Sequence, residues 1–107
     1  MKASAEEAIG FLGDKTGDEI AGDRLRLLAL TRAAQIVGEA ASQVPSPVQQ
    51  ALPEIDFVGA IAMRHRLVHG YGAVDATILA DTIRDDFPPL IAALNSALAG
   101  ALPDDET

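Results

Sequence analysis

Cysteine and tryptophan are missing from this 107-residue chain, and aromatic residues make up only 4% of it. Without thiols there are no disulfides, no thiolate metal sites and no thiol nucleophile. No apolar run approaches the roughly 20 residues of a membrane span, and the N-terminus lacks the basic region and apolar stretch of a secretory signal. The expectation is a cytoplasmic protein with no membrane association. Basic residues are also scarce, with 8 Lys and Arg against 16 Asp and Glu and a net charge of −8. That balance argues against a generic nucleic-acid binder, which uses a broad cationic surface to displace counterions from phosphates.

What is present is aliphatic. Hydrophobic residues reach 49%, so the core must be built from Ala, Leu, Ile and Val, a composition that suits closely packed helices. A chain of this length is one domain, marginal by itself and helped by oligomerisation; residues 1–107 are read as a single unit. Charge is unevenly spread. From Arg24 to Arg66 lie Arg24, Arg26, Arg32, Arg64 and Arg66 against Glu39, Glu54 and Asp56, whereas Arg84 alone faces the acids beyond Arg66. A local basic site on an acidic body follows.

Along the chain, Ala5, Ala8, Ile9 and Leu12 stand at helical spacing, with Ser4 as N-cap of a short first helix that ends at Gly13 and Gly17. Asp23 caps a long helix from Arg24 to about Gln43. Its apolar positions Leu27, Leu30, Ala33, Ala34, Val37, Ala40 and Ala41 form a wide stripe, and Gly38 with the alanines lets a neighbouring backbone come close. Glu39 is read as solvating the polar side of that helix. Pro45, Pro47 and Pro53 make a loop with at most one turn of helix around Val48 to Leu52. Helix resumes from Ile55 to about His69, with Gly70 at its C′ position. Asp75 caps a further helix that Pro88-Pro89 interrupts, and a last helix runs from Leu90 to about Leu98 with Pro89 in its first turn. The acidic tail 103–107 is frayed. No strand pattern or repeat is present, so the expected fold class is all-α, an antiparallel bundle of four to five helices.

The chemistry concentrates in Arg64-His65-Arg66-Leu67-Val68-His69-Gly70-Tyr71. His65 and Arg66, four and three residues before His69, share its helix face, while Arg64, five before it, lies about 140° away unless the helix is ending there. At a helix C-terminus the macrodipole favours a protonated imidazole. Two arginines and two histidines at such an end suit metal-free RNA cleavage. A histidine would take the 2′-hydroxyl proton or protonate the leaving 5′-oxygen, and an arginine would neutralise charge building on phosphorus. Spacing alone favours the plainer reading, in which Arg64 and His69 are a capping pair tied to carbonyls. His65 and His69 have the i, i+4 spacing of a zinc helix, but Arg66 stands where the general-base Glu belongs, which disfavours a metal. Tyr71, between two glycines, offers either an accessible hydroxyl or a ring closing the bundle. Nothing in the sequence calls for a cofactor.

Taken together, Arg64, His69 and Tyr71 form R-x-x-x-x-H-x-Y near a helix end. Ile36-Val37-Gly38-Glu39-Ala40 precede that motif, then a proline-broken loop and Ile55-Asp56-Phe57. Val74-Asp75 and Asp86-Phe87-Pro88-Pro89-Leu90 follow it. Over roughly residues 20 to 98 the chain resembles the HEPN superfamily, specifically the HepT-like toxins of type VII toxin–antitoxin pairs. The resemblance implies a homodimeric all-α bundle whose two motifs meet across the interface as a composite site for metal-independent RNA cleavage. It makes Arg64 and His69 catalytic, and the clustering at the helix end adds His65 and Arg66 as auxiliary active-site residues. It makes Tyr71 the residue to which a minimal nucleotidyltransferase antitoxin attaches AMP, setting a phosphate and a base beside the catalytic cations. The chain departs from the family in His65, where asparagine is common, in Phe57, where tryptophan is frequent, and in its shorter first helix. The competing expectation is a non-catalytic module that docks a nucleotidyltransferase or holds RNA without cutting it.

Overall fold

The structure, a computed structural model, describes residues 1–69 and 75–101, with side chains described for 1–67 and 75–97. It is helical throughout and contains no strand among the described residues: α1 (Lys2–Leu12), α2 (Gly17–Ala21), α3 (Arg24–Ser42), α4 (Ser46–Ala51), α5 (Phe57–His69) and α6 (Ala76–Ala101). The all-α expectation is met, by six described helices where four or five were expected. Positions 70–74 and 102–107, which include the expected C′ glycine Gly70, Tyr71 and the frayed tail, lie outside the described residues.

Local chemistry accounts for the helix boundaries. Helix α1 begins at Lys2 with Met1 as its N-cap, so Ser4 is not a cap. Ser4 lies one turn inside with Ala5, Ala8 and Leu12 on the buried face, because packing of that small-residue face selects the helix start over a hydroxyl capping signal. Gly13 ends α1 at φ 55, a left-handed conformation that glycine adopts without steric cost. Helix α2 went unread in the sequence. Thr16 and Glu19 close a capping box there: the Glu19 amide donates to Thr16 Oγ1 at 3.2 Å and the Thr16 amide to Glu19 Oε1 at 3.0 Å. Ile20, fully buried, anchors this short helix in the core.

Asp23 caps α3 as expected, accepting from the Arg26 amide at 3.1 Å. Asp56 does the same for α5, accepting from the Gly59 amide at 2.8 Å. Asp75 receives the amides of Thr77 and Ile78 at 2.9 and 3.1 Å at the head of α6. Helix α6 corrects a prediction, since it runs on through Pro88 and Pro89 without interruption. The prolines remove the amides that would bond to the carbonyls of Arg84 and Asp85. Those residues and both prolines are exposed, so water reaches the released carbonyls, while Ile83 and Phe87 are buried on the other side. Burial of that apolar face outweighs the local preference of proline.

Helix α3 is central. Helices α1 and α5 pack along it, and α6 packs on α1 and α2. The main core joins Ala5, Ala8, Leu12, Ile20, Leu30, Ala34, Val37, Leu79 and Ile83, with Met63 entering from α5. A smaller cluster of Ala41, Ile55 and Phe57 closes the other end, against partly buried residues that include Leu52, Leu90 and Leu94. Gly38 works as its position suggested: an added Cβ would meet the Ala60 carbonyl oxygen at 2.6 Å, so α3 and α5 pack backbone to backbone there.

Candidate active site

The backbone of helix α5 comes close along α3 and, among the described residues, has no comparable contact elsewhere. The two helices run antiparallel, because Gly38 opposes Ala60 and Arg64 whereas Gln35, earlier in α3, reaches Leu67, later in α5. Gln35 Nε2 donates to the Leu67 carbonyl at 3.4 Å. That carbonyl is among the last four of α5, which have no partner within the helix, so α3 secures the end of the helix that carries the motif.

The motif residues divide between two sides of α5. Arg64 is turned to α3, its Cβ against Gly38, and its Nε is buried without a hydrogen-bond partner among the described residues. A buried guanidinium N–H with no acceptor is costly unless something supplies one. His65 and Arg66 are exposed. His65 borders an open surface with Val58, Ile61, Ala62 and Arg66. Arg66 also lines a cavity of about 300 Å³ between α5 and α6, together with Met63, Thr82, Asp86 and Phe87. Val58 is 77% exposed, so the apolar residues of α5 split into a buried side with Phe57 and Met63 and an uncovered side with Val58 and Ala62.

Helical phase puts position 69 on the uncovered side: 58, 61, 62, 65 and 69 follow i, i+3, i+4, i+7, i+11. Because α5 continues through His69, positions 64 and 69 differ by about 140° around its axis. The backbone of one chain therefore presents the motif arginine and the motif histidine position on different sides of the helix. The side chain of His69, and Tyr71 as a whole, lie outside the described residues.

The sequence grouped the apolar residues of α5 without separating the covered from the uncovered. Only the phase of α5 against α3, set by Gly38, makes that distinction. No described helix is long and apolar enough to cross a membrane.

The fold and site define a small all-α bundle that leaves one helix face, carrying cations and apolar side chains, uncovered. Residues 1–97 match the family described as HepT-like: Ribonuclease HepT-like. The protein named "Probable ribonuclease HepT" of Thermococcus cleftensis is 35% identical over 68 residues, 64% of this chain and 62% of its own length. Two proteins of Methanocaldococcus jannaschii are also similar. "Putative RNase MJ0125" is 26% identical over 79% of this chain and 73% of its own, and "Putative RNase MJ1380" is 25% identical over 81% and 80%. No solved structure matches the chain. The chain belongs to the HepT-like family of the HEPN superfamily.

Proposed function

We propose that this protein is a homodimeric endoribonuclease, the toxin of a toxin–antitoxin pair, with Arg64 and His69 as its catalytic residues. Membership of a ribonuclease-named family supports the reaction class. The observation that carries the site is the face of α5 left uncovered around Val58, Ile61, Ala62 and His65. A second copy seated there would bury the apolar residues and bring two motif-bearing helix ends together. It would also resolve the 140° separation by letting groups from two chains converge on one phosphate.

In that site one imidazole accepts the 2′-hydroxyl proton as the oxygen attacks phosphorus, and a second protonates the departing 5′-oxygen. Two His69 side chains, or His69 with His65, fill the two roles. The products are a 2′,3′-cyclic phosphate and a free 5′-hydroxyl, and no metal takes part. Arg64, whose Nε has no described acceptor, supplies a donor for the charge that grows on the phosphoryl oxygens. Arg66 adds positive potential at the rim. Tyr71 is the residue a partner nucleotidyltransferase modifies with AMP, whose phosphate and base would occupy the substrate position.

The test is incubation of unmodified protein and its His69→Ala variant with total RNA in EDTA, with the new ends mapped. Cleavage by the parent alone, leaving 2′,3′-cyclic phosphates, is the expected result. A folded, unmodified dimer that leaves RNA intact overturns the reading in favour of a binding module.

A further inference from the structure

Among the described residues, only some of the arginines have hydrogen-bond or ion-pair partners. Arg26 bonds to Asp23 through Nε at 3.2 Å and to the carbonyl of Phe11, and Arg84 donates to the Lys15 carbonyl at 2.6 Å. Arg32 is exposed on α3 and makes no hydrogen bond or ion pair among the described residues. In a chain with 16 acidic residues, an arginine without a carboxylate is informative. The positions one turn away on its helix are Leu28, Ala29, Gln35 and Ile36, none acidic. Glu39, on the same side of α3, is two turns away, about 10 Å along the axis.

Its placement is equally specific. Arg32 precedes Gln35 by one turn, and Gln35 bonds to Leu67. In the antiparallel pair Arg32 is therefore level with the end of α5, where the motif histidine position lies. Packed helices have axes about 8–10 Å apart, and Arg32 and His65 project from the same outer side of the pair, away from the core that holds Val37 and Met63. The exposed Leu25 and Leu28 continue that side along α3. Helix α5 itself carries no acidic residue.

We propose that Arg32 binds a backbone phosphate of the RNA strand next to the one being cleaved, a substrate contact outside the R-x-x-x-x-H motif. This rests on the ribonuclease reading above. A strand whose scissile phosphate sits at the end of α5 passes over α3 at the level of Arg32, where a planar guanidinium offers two parallel N–H donors to a phosphate. The contact holds the strand equally in the ground and transition states, so it lowers KM and leaves kcat unchanged. It also gives a chain of net charge −8 a cation for RNA that no acid within one helical turn neutralises.

The experiment compares the parent dimer with Arg32→Ala, Arg32→Lys and the charge control Lys2→Ala. Binding of a 2′-O-methyl single-stranded RNA, which lacks the attacking hydroxyl, is followed by fluorescence anisotropy between about 50 and 200 mM salt, the range over which phosphate contacts are most salt-sensitive. Steady-state cleavage of the matching RNA gives kcat and KM. Arg32→Ala is expected to raise Kd and KM roughly tenfold, equivalent to about 1.4 kcal/mol, with kcat unchanged. The slope of log K against log salt should shrink by roughly 0.7, the value of one phosphate on a single strand. Arg32→Lys should retain the slope, and Lys2→Ala should match the parent. If Arg32→Ala binds and cleaves like the parent while His69→Ala is inactive, the Arg32 contact is wrong and the ribonuclease reading stands. If Arg32→Ala loses kcat at constant KM, or turns the dimer into a monomer, its role is chemical or structural and the proposal is overturned. A parent that neither binds nor cuts RNA removes both readings.

Discussion

Gly38 of α3 and Arg64 of α5 meet with no room for a methyl group between them. An added Cβ would collide with Arg64 Cβ and stand 2.6 Å from the Ala60 carbonyl oxygen. The position that lets two helices pack backbone to backbone is also the one that seats the motif arginine. Gly38→Ala is expected to force the helices apart and destabilise the fold by about 1–3 kcal/mol, the usual cost of overpacking. It should impair RNA cleavage as well, because Arg64 moves with α5. Gly10, inside α1 with nothing within 4 Å of its added Cβ, is the contrast. Gly10→Ala should stabilise by about 0.5–1 kcal/mol through lost unfolded-state entropy. Urea denaturation of both variants checks the opposite signs, and equal effects would contradict the packing described.

Pro88 and Pro89 sit on the exposed side of an unbroken α6. In such a helix, Pro88→Ala or Pro89→Ala restores an amide to the carbonyl four residues earlier and relieves a steric conflict. Each substitution should raise stability by about 1–3 kcal/mol, given the roughly 3 kcal/mol propensity difference between proline and alanine. Denaturant midpoints would report it. If the chain broke at the prolines into two helices, the substitutions would bring little gain.

Asp23 and Glu19 are cap carboxylates at exposed helix starts. The Arg26 amide, then its side chain, holds Asp23 below its ordinary value of 3.8. The Thr16 amide, then its hydroxyl, holds Glu19 below its ordinary 4.5. Because both folded-state values are depressed, the stability they contribute is present in full above the ordinary carboxylate range. It is lost as pH falls through the folded values. Asp23→Asn removes the ionisable group and keeps an acceptor for the cap. The melting temperature of the parent should exceed that of the variant near neutrality, and the gap should close as the pH drops below 3.8. A gap independent of pH would show that the charge of Asp23 contributes nothing.

Much of the scaffold was legible because its signals are local. Asp23 sits before a 3.6-periodic stripe, Gly13 follows the last apolar residue of α1, and Gly38 lies among alanines, so caps, termination and close approach could be read from neighbours in the chain. The Thr16-x-x-Glu19 box was equally local, yet α2 was missed because its five residues are too few to show periodicity. Pro88-Pro89 misled because local propensity opposes helix there, and the energy that overrides it comes from Ile83 and Phe87 packing on other elements.

The motif itself, Arg64, His65, Arg66, His69 and Tyr71, was visible as composition: rare residue types gathered in one short segment of an acidic, aliphatic chain. The sequence by itself determined the helical class, the capping chemistry and that concentration of cations, since each depends on residues a few positions apart. Tertiary structure alone decided that Arg64 turns inward to α3, that Val58 and Ala62 are left uncovered, and that Arg32 stands level with the end of α5. Those outcomes depend on the rotation and register of one helix against another, which are set where Gly38 lets two backbones approach and which no spacing within either helix encodes.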